Sequence, residues 1–367
     1  MAHMNKYVVD FEPNTYADEG GQECKVDCSL GVNLEELPQK VINKLKELSP
    51  EHLKNYPHGE EVLAALLDKL KKLNPSLTEK NLAVGCGSVD ILRNLNELFI
   101  GPGKKVVGVA PQFSAYIDDI RMKGSEYIAS PMKKENGYQV DIDDICTKVI
   151  ENRPDLVYID NPNNPTGQIF TREELERIWK AADSVDAAII VDEAYGDYMP
   201  EECSIIDKVG QWNGLVVTKT MSKGYGMAGM RMGYVASQED IIYQLNKLLI
   251  PFNCNSLARD LAIAMLTDDD YLDGLVEMTE DKNKRIKASV GKAIKVAKTE
   301  DCVPISLLYT EDETVDLARV LSKAGVAAVS GAGFDGIGIN SIRLMVPAER
   351  DMDLLCELLA KADSSIE

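Results

Sequence analysis

LVVTKTMSKGYGMAGMRMGYVA, residues 215 to 236, decides how the chain is to be read. Its two ends, LVVTK (215–219) and MGYVA (232–236), are short β-branched apolar runs of the kind that form buried strands. Between them lie glycines, methionines and tyrosines, with Lys223 and Arg231 set among them. Two cations in such a stretch belong either to a solvated glycine-rich turn or to a tight pocket that needs positive charge.

The chain has 367 residues, 45% of them hydrophobic, which suits two domains or one large domain with an appendage and excludes disorder. Sixty acidic residues against forty basic ones leave a net charge of −20. A field of that sign repels phosphate backbones and anionic lipids, so neither nucleic acid nor membrane is an expected partner. An anionic ligand must then be caught by local cations. No apolar run approaches the roughly 18 residues that span a bilayer, and MNKYVVD lacks a signal pattern, so a cytoplasmic location is expected. The leading MAHM resembles a cloning remnant, which makes Met4 the expected natural start. Eight scattered cysteines form no C-x-x-C pair, and histidine is too scarce for a His-based triad, so free thiols and no metal are expected.

Further strand-like runs are LAVGC (82–86), KVVGVA (105–110), LVYID (156–160) and AAIIVDEAY (187–195). Helical patterns separate them, among them GEEVLAALLDKLKKL (59–73), SVDILRNLNELF (88–99) and TREELERIWKAADS (171–184). Continuous apolar strands alternating with helices predict an α/β architecture with a mostly parallel sheet covered by helices on both faces. Ligands in such sheets bind at the carboxyl ends of the strands. YIDNPNNPTG, VDEAY and TKTMSKG would therefore meet at one rim. Residues 50–249 read as this large domain. Residues 250–367, with a long helical stretch at 256–299 followed by VPISLLYT, GVAAVS and SIRLMV, read as a smaller α+β domain, onto which residues 1–49 would pack.

Each rim motif has two readings. Lys223 is a surface charge or, desolvated near a second cation, a nucleophilic amine. Arg231, Thr220 and Ser222 are turn residues or a fork and two hydroxyls for a phosphate. Asp192 is a turn residue or a buried partner for a protonated ring nitrogen, with Tyr195 three residues on. Asn164 in NPNNPTG is turn chemistry or a rigid amide fixed by Pro165. Ser88, after GCG, is a helix N-cap or part of a phosphate site at a helix N-terminus. GAGFDG (331–336) matches G-x-G-x-x-G formally, but the strand-like IGINSIRLMV after it makes it a loop.

Taken together, TMSKGYGMAGMR, NPTG and DEAY, in that arrangement and running from VDCSLGVN to IRLMVP, resemble the pyridoxal-phosphate-dependent class I/II aminotransferases of fold type I, in the histidinol-phosphate aminotransferase-like branch. The resemblance implies pyridoxal 5'-phosphate as cofactor, carried as a Schiff base on Lys223, and amino transfer from an L-amino acid to a 2-oxo acid. It implies that Asp192 pairs with the ring nitrogen and that Asn164 and Tyr195 bond the ring hydroxyl. Gly87, Ser88, Val89, Thr220, Ser222 and Arg231 would cradle the phosphate, Phe113 would stack on the ring, and Arg343 would clamp the substrate carboxylate. Tyr56 would reach the phosphate of a neighbouring subunit, implying a homodimer with shared sites.

The chain departs from the branch in GVAAVSGAGFDG, which lacks the small-domain arginine that holds a substrate phosphate. The same cofactor also serves decarboxylases, lyases and cyclases, the alternative class of reaction. A DNA-bound ligand sensor is disfavoured by the acidic balance. Tyr16, Asn33 and the residues around Asn253 are the expected lining of the substrate side-chain pocket.

Overall fold

The structure is a computed structural model describing residues 4–12, 24–268 and 270–366, so Tyr16 lies outside the described residues. A two-residue strand, β1 (Val26–Asp27), precedes the main sheet. That sheet comprises β2 (Leu82–Gly85), β3 (Lys105–Ala110), β4 (Glu126–Pro131), β5 (Leu156–Asp160), β6 (Ala188–Asp192), β7 (Leu215–Thr220) and β8 (Gly233–Ser237), in the order β2-β8-β7-β6-β5-β3-β4. Neighbours pair parallel except at β8, which runs antiparallel to both β2 and β7.

Apolar runs become strands here because both faces are covered. Val157, Ile159, Ile189 and Val191 enter one core, while Leu156, Tyr158 and Ile190 point into the other. Alternate residues of one strand thus serve opposite faces, as the pleat requires. The expected α/β architecture is borne out.

Strand direction places the chemistry. The parallel strands β5, β6 and β7 end on one rim, where register sets Asp160 beside Asp192 and Asp192 beside Thr218. Because β8 runs the other way, its first residue returns to that rim, with Gly233 opposite Thr220. Lys223 and Arg231, on the connection between β7 and β8, consequently both stay there.

A second sheet contains β9 (Ile294–Val296) and β10 (Ile305–Thr310); β11 (Val326–Ala327) stands apart from it and pairs parallel with β1. With β12 (Val329–Ser330) and β13 (Ser341–Met345), that second sheet has the order β12-β13-β10-β9, antiparallel throughout. Its core joins Leu308 and Ile342 to Ile286, Leu321 and Leu355 from the helices Leu275–Ser289, Leu317–Ala324 and Met352–Ser365.

One local reading changes. The helical stretch expected over 256–299 is broken into Ser256–Leu266 and Leu275–Ser289 and then ends in β9, with Gly274 in the left-handed region at φ 75° starting the second helix. The N-terminal segment makes two contacts with residues of 250–367: Val26 and Cys28 join the core of the second sheet, and the helix Gln39–Glu47 packs against Ser256–Leu266. GAGFDG opens no helix beyond a single turn at Gly331–Gly333, and β13 follows, as a loop reading requires. Among the described residues, no helix is long and apolar enough to cross a membrane.

Candidate active site

A cavity of about 190 Å³ opens at the strand-end rim. Ser88, Val89, Phe113, Asn164, Asp192, Tyr195, Thr220, Ser222, Lys223 and Arg231, all singled out in the sequence, line it together with Asp160, Pro162, Ala194 and Ala228. Strand direction gathers them around one cavity instead of leaving them on separate turns.

The floor is a pair of buried carboxyls. Asp192 accepts from Thr218 Oγ1 at 2.8 Å and from Tyr158 Oη at 3.2 Å. Asp160, beside it on β5, accepts from Gln112 Nε2, Asn163 Nδ2 and the Asn164 backbone N–H, each at 2.9 Å. Burial pushes the Asp160 acid up to about 7 and the Asp192 acid up to about 6. The hydrogen bonds each accepts pull the other way, and the Lys223 charge does so for Asp192. Asp160 ties down the NPNNPTG turn and so fixes Asn164. Sequence reasoning missed it, although it carries the same signal as Asp192, an acid closing an apolar strand.

At the opposite wall, the helix Ser88–Phe99 begins with Gly87 at φ 81° as its N-cap, and no side chain caps it. Ser88 is therefore the first helical residue and not the cap, leaving the first-turn N–H groups for a ligand. The Arg231 guanidinium lies so close to Gly87 that a Cβ there would come within 2.5 Å of Nη2. Arg231 Nη1 donates to Ala228 O at 3.1 Å and lies 3.5 Å from Ser222 Oγ, which Thr220 Oγ1 meets at 3.0 Å. One guanidinium, two hydroxyls and a bare helix start form a cradle for a tetrahedral anion.

Lys223 lies between floor and cradle, with Nζ 5.1 Å from the Tyr195 ring centroid. A roof comes from the segment after β1. A Cβ on Gly31 would overlap the Tyr195 hydroxyl and lie 3.3 Å from Lys223 Nζ, so only glycine fits. No signal in a single sequence marks that glycine. Asn33 arrives beside Lys223, but its amide is engaged with backbone: Nδ2 donates to Gly224 O at 2.9 Å and Oδ1 accepts from Glu35 N at 3.1 Å. Arg343, on β13, is 1% exposed; Nη2 donates to Ser29 O at 2.6 Å and Nη1 reaches Asn164 Oδ1 at 3.5 Å. Asn253 donates Nδ2 to Val84 O at 2.6 Å, at the end of β2. Tyr56 is 75% exposed, away from this chain's own cavity walls, and stacks on Phe252 with ring centroids 4.6 Å apart.

The sequence profile of the aminotransferase class I and II family matches residues 24–361. A histidinol-phosphate aminotransferase of Caldicellulosiruptor saccharolyticus is 31% identical over 303 residues, 81% of each chain. An aromatic amino acid aminotransferase of Streptomyces avermitilis is 31% identical over 71% of each. Among solved structures, a histidinol-phosphate aminotransferase from Sinorhizobium meliloti in complex with pyridoxal-5'-phosphate superposes with a TM-score of 0.84 over 100% of this chain and 99% of its own, at 19% identity.

Two outcomes follow from the geometry. A Cβ on Gly233 would press on the Ser88 nitrogen and lie 2.6 Å from the Gly87 carbonyl carbon, so Gly233→Ala should cost about 1–3 kcal/mol in urea unfolding and open the anion cradle. The second concerns pH. A carboxyl whose folded pKa is raised binds its proton more tightly when folded, so its stabilisation is greatest at low pH and is lost as pH rises from about 4 towards about 7. The ligand-free protein should therefore lose stability between pH 5 and pH 7.5, and Asp160→Asn should flatten that slope; an equal slope in both proteins would contradict the assignment.

Proposed function

The chain belongs to the aminotransferase class I and II family, and on that premise we propose how its residues divide the work. It is a pyridoxal-phosphate-dependent aminotransferase, passing an amino group from an amino acid to a 2-oxo acid. One observation carries the assignment of residues: a single cavity holds a buried carboxylate, a lysine amine and an arginine-backed anion cradle on separate walls. The residues fit the cofactor. The Tyr195 hydroxyl is buried without a hydrogen-bond partner, Asp192 is a buried acid with an elevated pKa, and the cradle at Gly87–Val89 and Arg231 suits a phosphate.

When bound, pyridoxal phosphate supplies an electron sink for the negative charge that develops at the amino-acid Cα. Asp192, oriented by Thr218 and Tyr158, holds a proton on the ring nitrogen. Asn164 and Tyr195 would bond the ring hydroxyl oxygen, and Phe113 would pack against the ring. Gly87, Ser88, Val89, Thr220, Ser222 and Arg231 take the phosphate. Arg343, desolvated on β13, clamps the substrate carboxylate with its two-pronged guanidinium. Lys223 Nζ removes the proton from the substrate Cα and redelivers it, as a general acid–base amine does. Asn33 supports this by fixing the backbone of Lys223 and Gly224 and so shaping the roof over the substrate.

The substrate we infer is an unphosphorylated L-amino acid. Among the described cavity-lining residues the cations are Lys223 and Arg231, both already assigned, and Arg121 near the second-sheet loop is held by Asp335. We assign the working unit to a homodimer in which Tyr56, exposed beside Phe252, reaches the cradle of the second copy. The described cysteines are all free thiols, which supports placing the enzyme in the reducing cytoplasm.

Lys223→Ala should lower turnover of 2-oxo acid product by more than about a thousandfold while the cofactor stays bound; retained turnover would refute the role of Lys223. Because Asp192 must be ionised to pair with the ring nitrogen, affinity for pyridoxal phosphate should fall as pH drops below about 6. Fluorescence titrations at pH 5 and pH 7.5 read this directly, and Asp192→Asn should remove most of the difference.

A further inference from the structure

Behind the Lys223 loop, away from the cofactor cavity, lies a second cavity of about 360 Å³ lined by Lys69, Asp197, Lys219, Tyr225 and Tyr234. Lys219, on β7 four residues before Lys223, is buried and forms an ion pair with Glu193 at 2.8 Å. Glu193 is held by Ser204 Oγ at 2.7 Å and Ile205 N at 3.0 Å, so this pair is fully supported. Asp197 is less fully supported: its Oδ2 is buried without a hydrogen-bond partner. Burial pushes its acid up to about 6, opposed first by Lys219 and then by Lys69.

What Asp197 does touch is Gly224, the residue after Lys223. A Cβ on Gly224 would overlap the Asp197 Cβ and lie 2.8 Å from Oδ2. The Gly224 backbone N–H faces the carboxylate and favours its charged form. From the other side, Asn33 Nδ2 donates to Gly224 O at 2.9 Å and Asn33 N donates to Lys223 O at 3.1 Å. The peptide that follows Lys223 is thus held from both faces.

We propose that Asp197 is a positioning residue for Lys223, its carboxylate bracing the Gly224 peptide from behind while Asn33 holds it from the roof. Freed of that brace, a glycine-flanked loop wanders, and an amine that must lie within reach of both a cofactor aldehyde and a substrate Cα spends less time there. The glycine at 224 is required because any side chain would displace the carboxylate.

The proposal rests on Lys223 being the cofactor-bearing amine, and the test separates the two. Protein stripped of cofactor is mixed with pyridoxal phosphate, reduced with borohydride at timed intervals, and the label at Lys223 is quantified by peptide mass. Asp197→Ala should slow labelling about tenfold and lower kcat similarly, with KM for the amino acid within about twofold. Asp197→Asn keeps an acceptor oxygen of the same reach and should recover labelling to within about threefold of the unaltered protein. If Asp197→Ala does not fold, Gly224→Ala displaces the same contact and should show the same tenfold loss. Labelling in Asp197→Ala, or in Gly224→Ala where that variant replaces it, within twofold of the unaltered protein would overturn the proposal. No label at Lys223 in the unaltered protein would instead overturn the reading of Lys223 itself.

Discussion

Two carboxyls, Asp160 and Asp192, lie side by side at the ends of neighbouring parallel strands, both almost shut off from water. Burial raises the cost of ionising both, and for Asp160 the neighbouring Asp192 charge adds to it. Asp160 is offset by a glutamine, an asparagine and a backbone N–H, which together fold the NPNNPTG turn into place. Asp192 is offset by a threonine and a tyrosine and, across the cavity, by the Lys223 charge. In the proposed assignment, a ring bearing a protonated nitrogen would complete that compensation at Asp192.

The same economy of position runs through the sheet. Reversing one strand, β8, returns the chain to the rim it has just left, so a single connection supplies both the lysine and the arginine. The glycines beside them are spatial requirements: Gly87 admits the guanidinium, Gly31 admits the Tyr195 hydroxyl, and Gly224 admits the Asp197 carboxylate. With a net charge of −20 the protein as a whole disfavours anions, so the Arg231 guanidinium beside the helix start at Gly87 is the kind of local cation an anion would need.

Much of this was legible in the residues. Continuous apolar runs alternating with helical patterns pointed to parallel strands and to the rim, and Lys223, Arg231, Asp192 and Asn164 all arrive on one cavity. The break between the helices Ser256–Leu266 and Leu275–Ser289 was not read from the residues, although Gly274, in the left-handed region at the start of the second helix, marks it. Asn33 was placed near the substrate by position alone, and its amide turns to the backbone because Gly224 O and Glu35 N lie within reach. Asp160 carried a legible signal that was passed over, whereas Gly31 and Asp197 act through spatial neighbours, Tyr195 and Lys223 for the one and Gly224 for the other, that no local pattern encodes. A single sequence does not bring such partners together.

The most direct test of the account is a single-turnover cycle followed by the visible absorbance of the bound cofactor. An amino acid added without acceptor should convert one equivalent of the aldehyde form of the cofactor to its aminated form and release one equivalent of the matching 2-oxo acid, and a different 2-oxo acid should restore the starting spectrum. Release of carbon dioxide or ammonia with no matching 2-oxo acid and no aminated cofactor would contradict it.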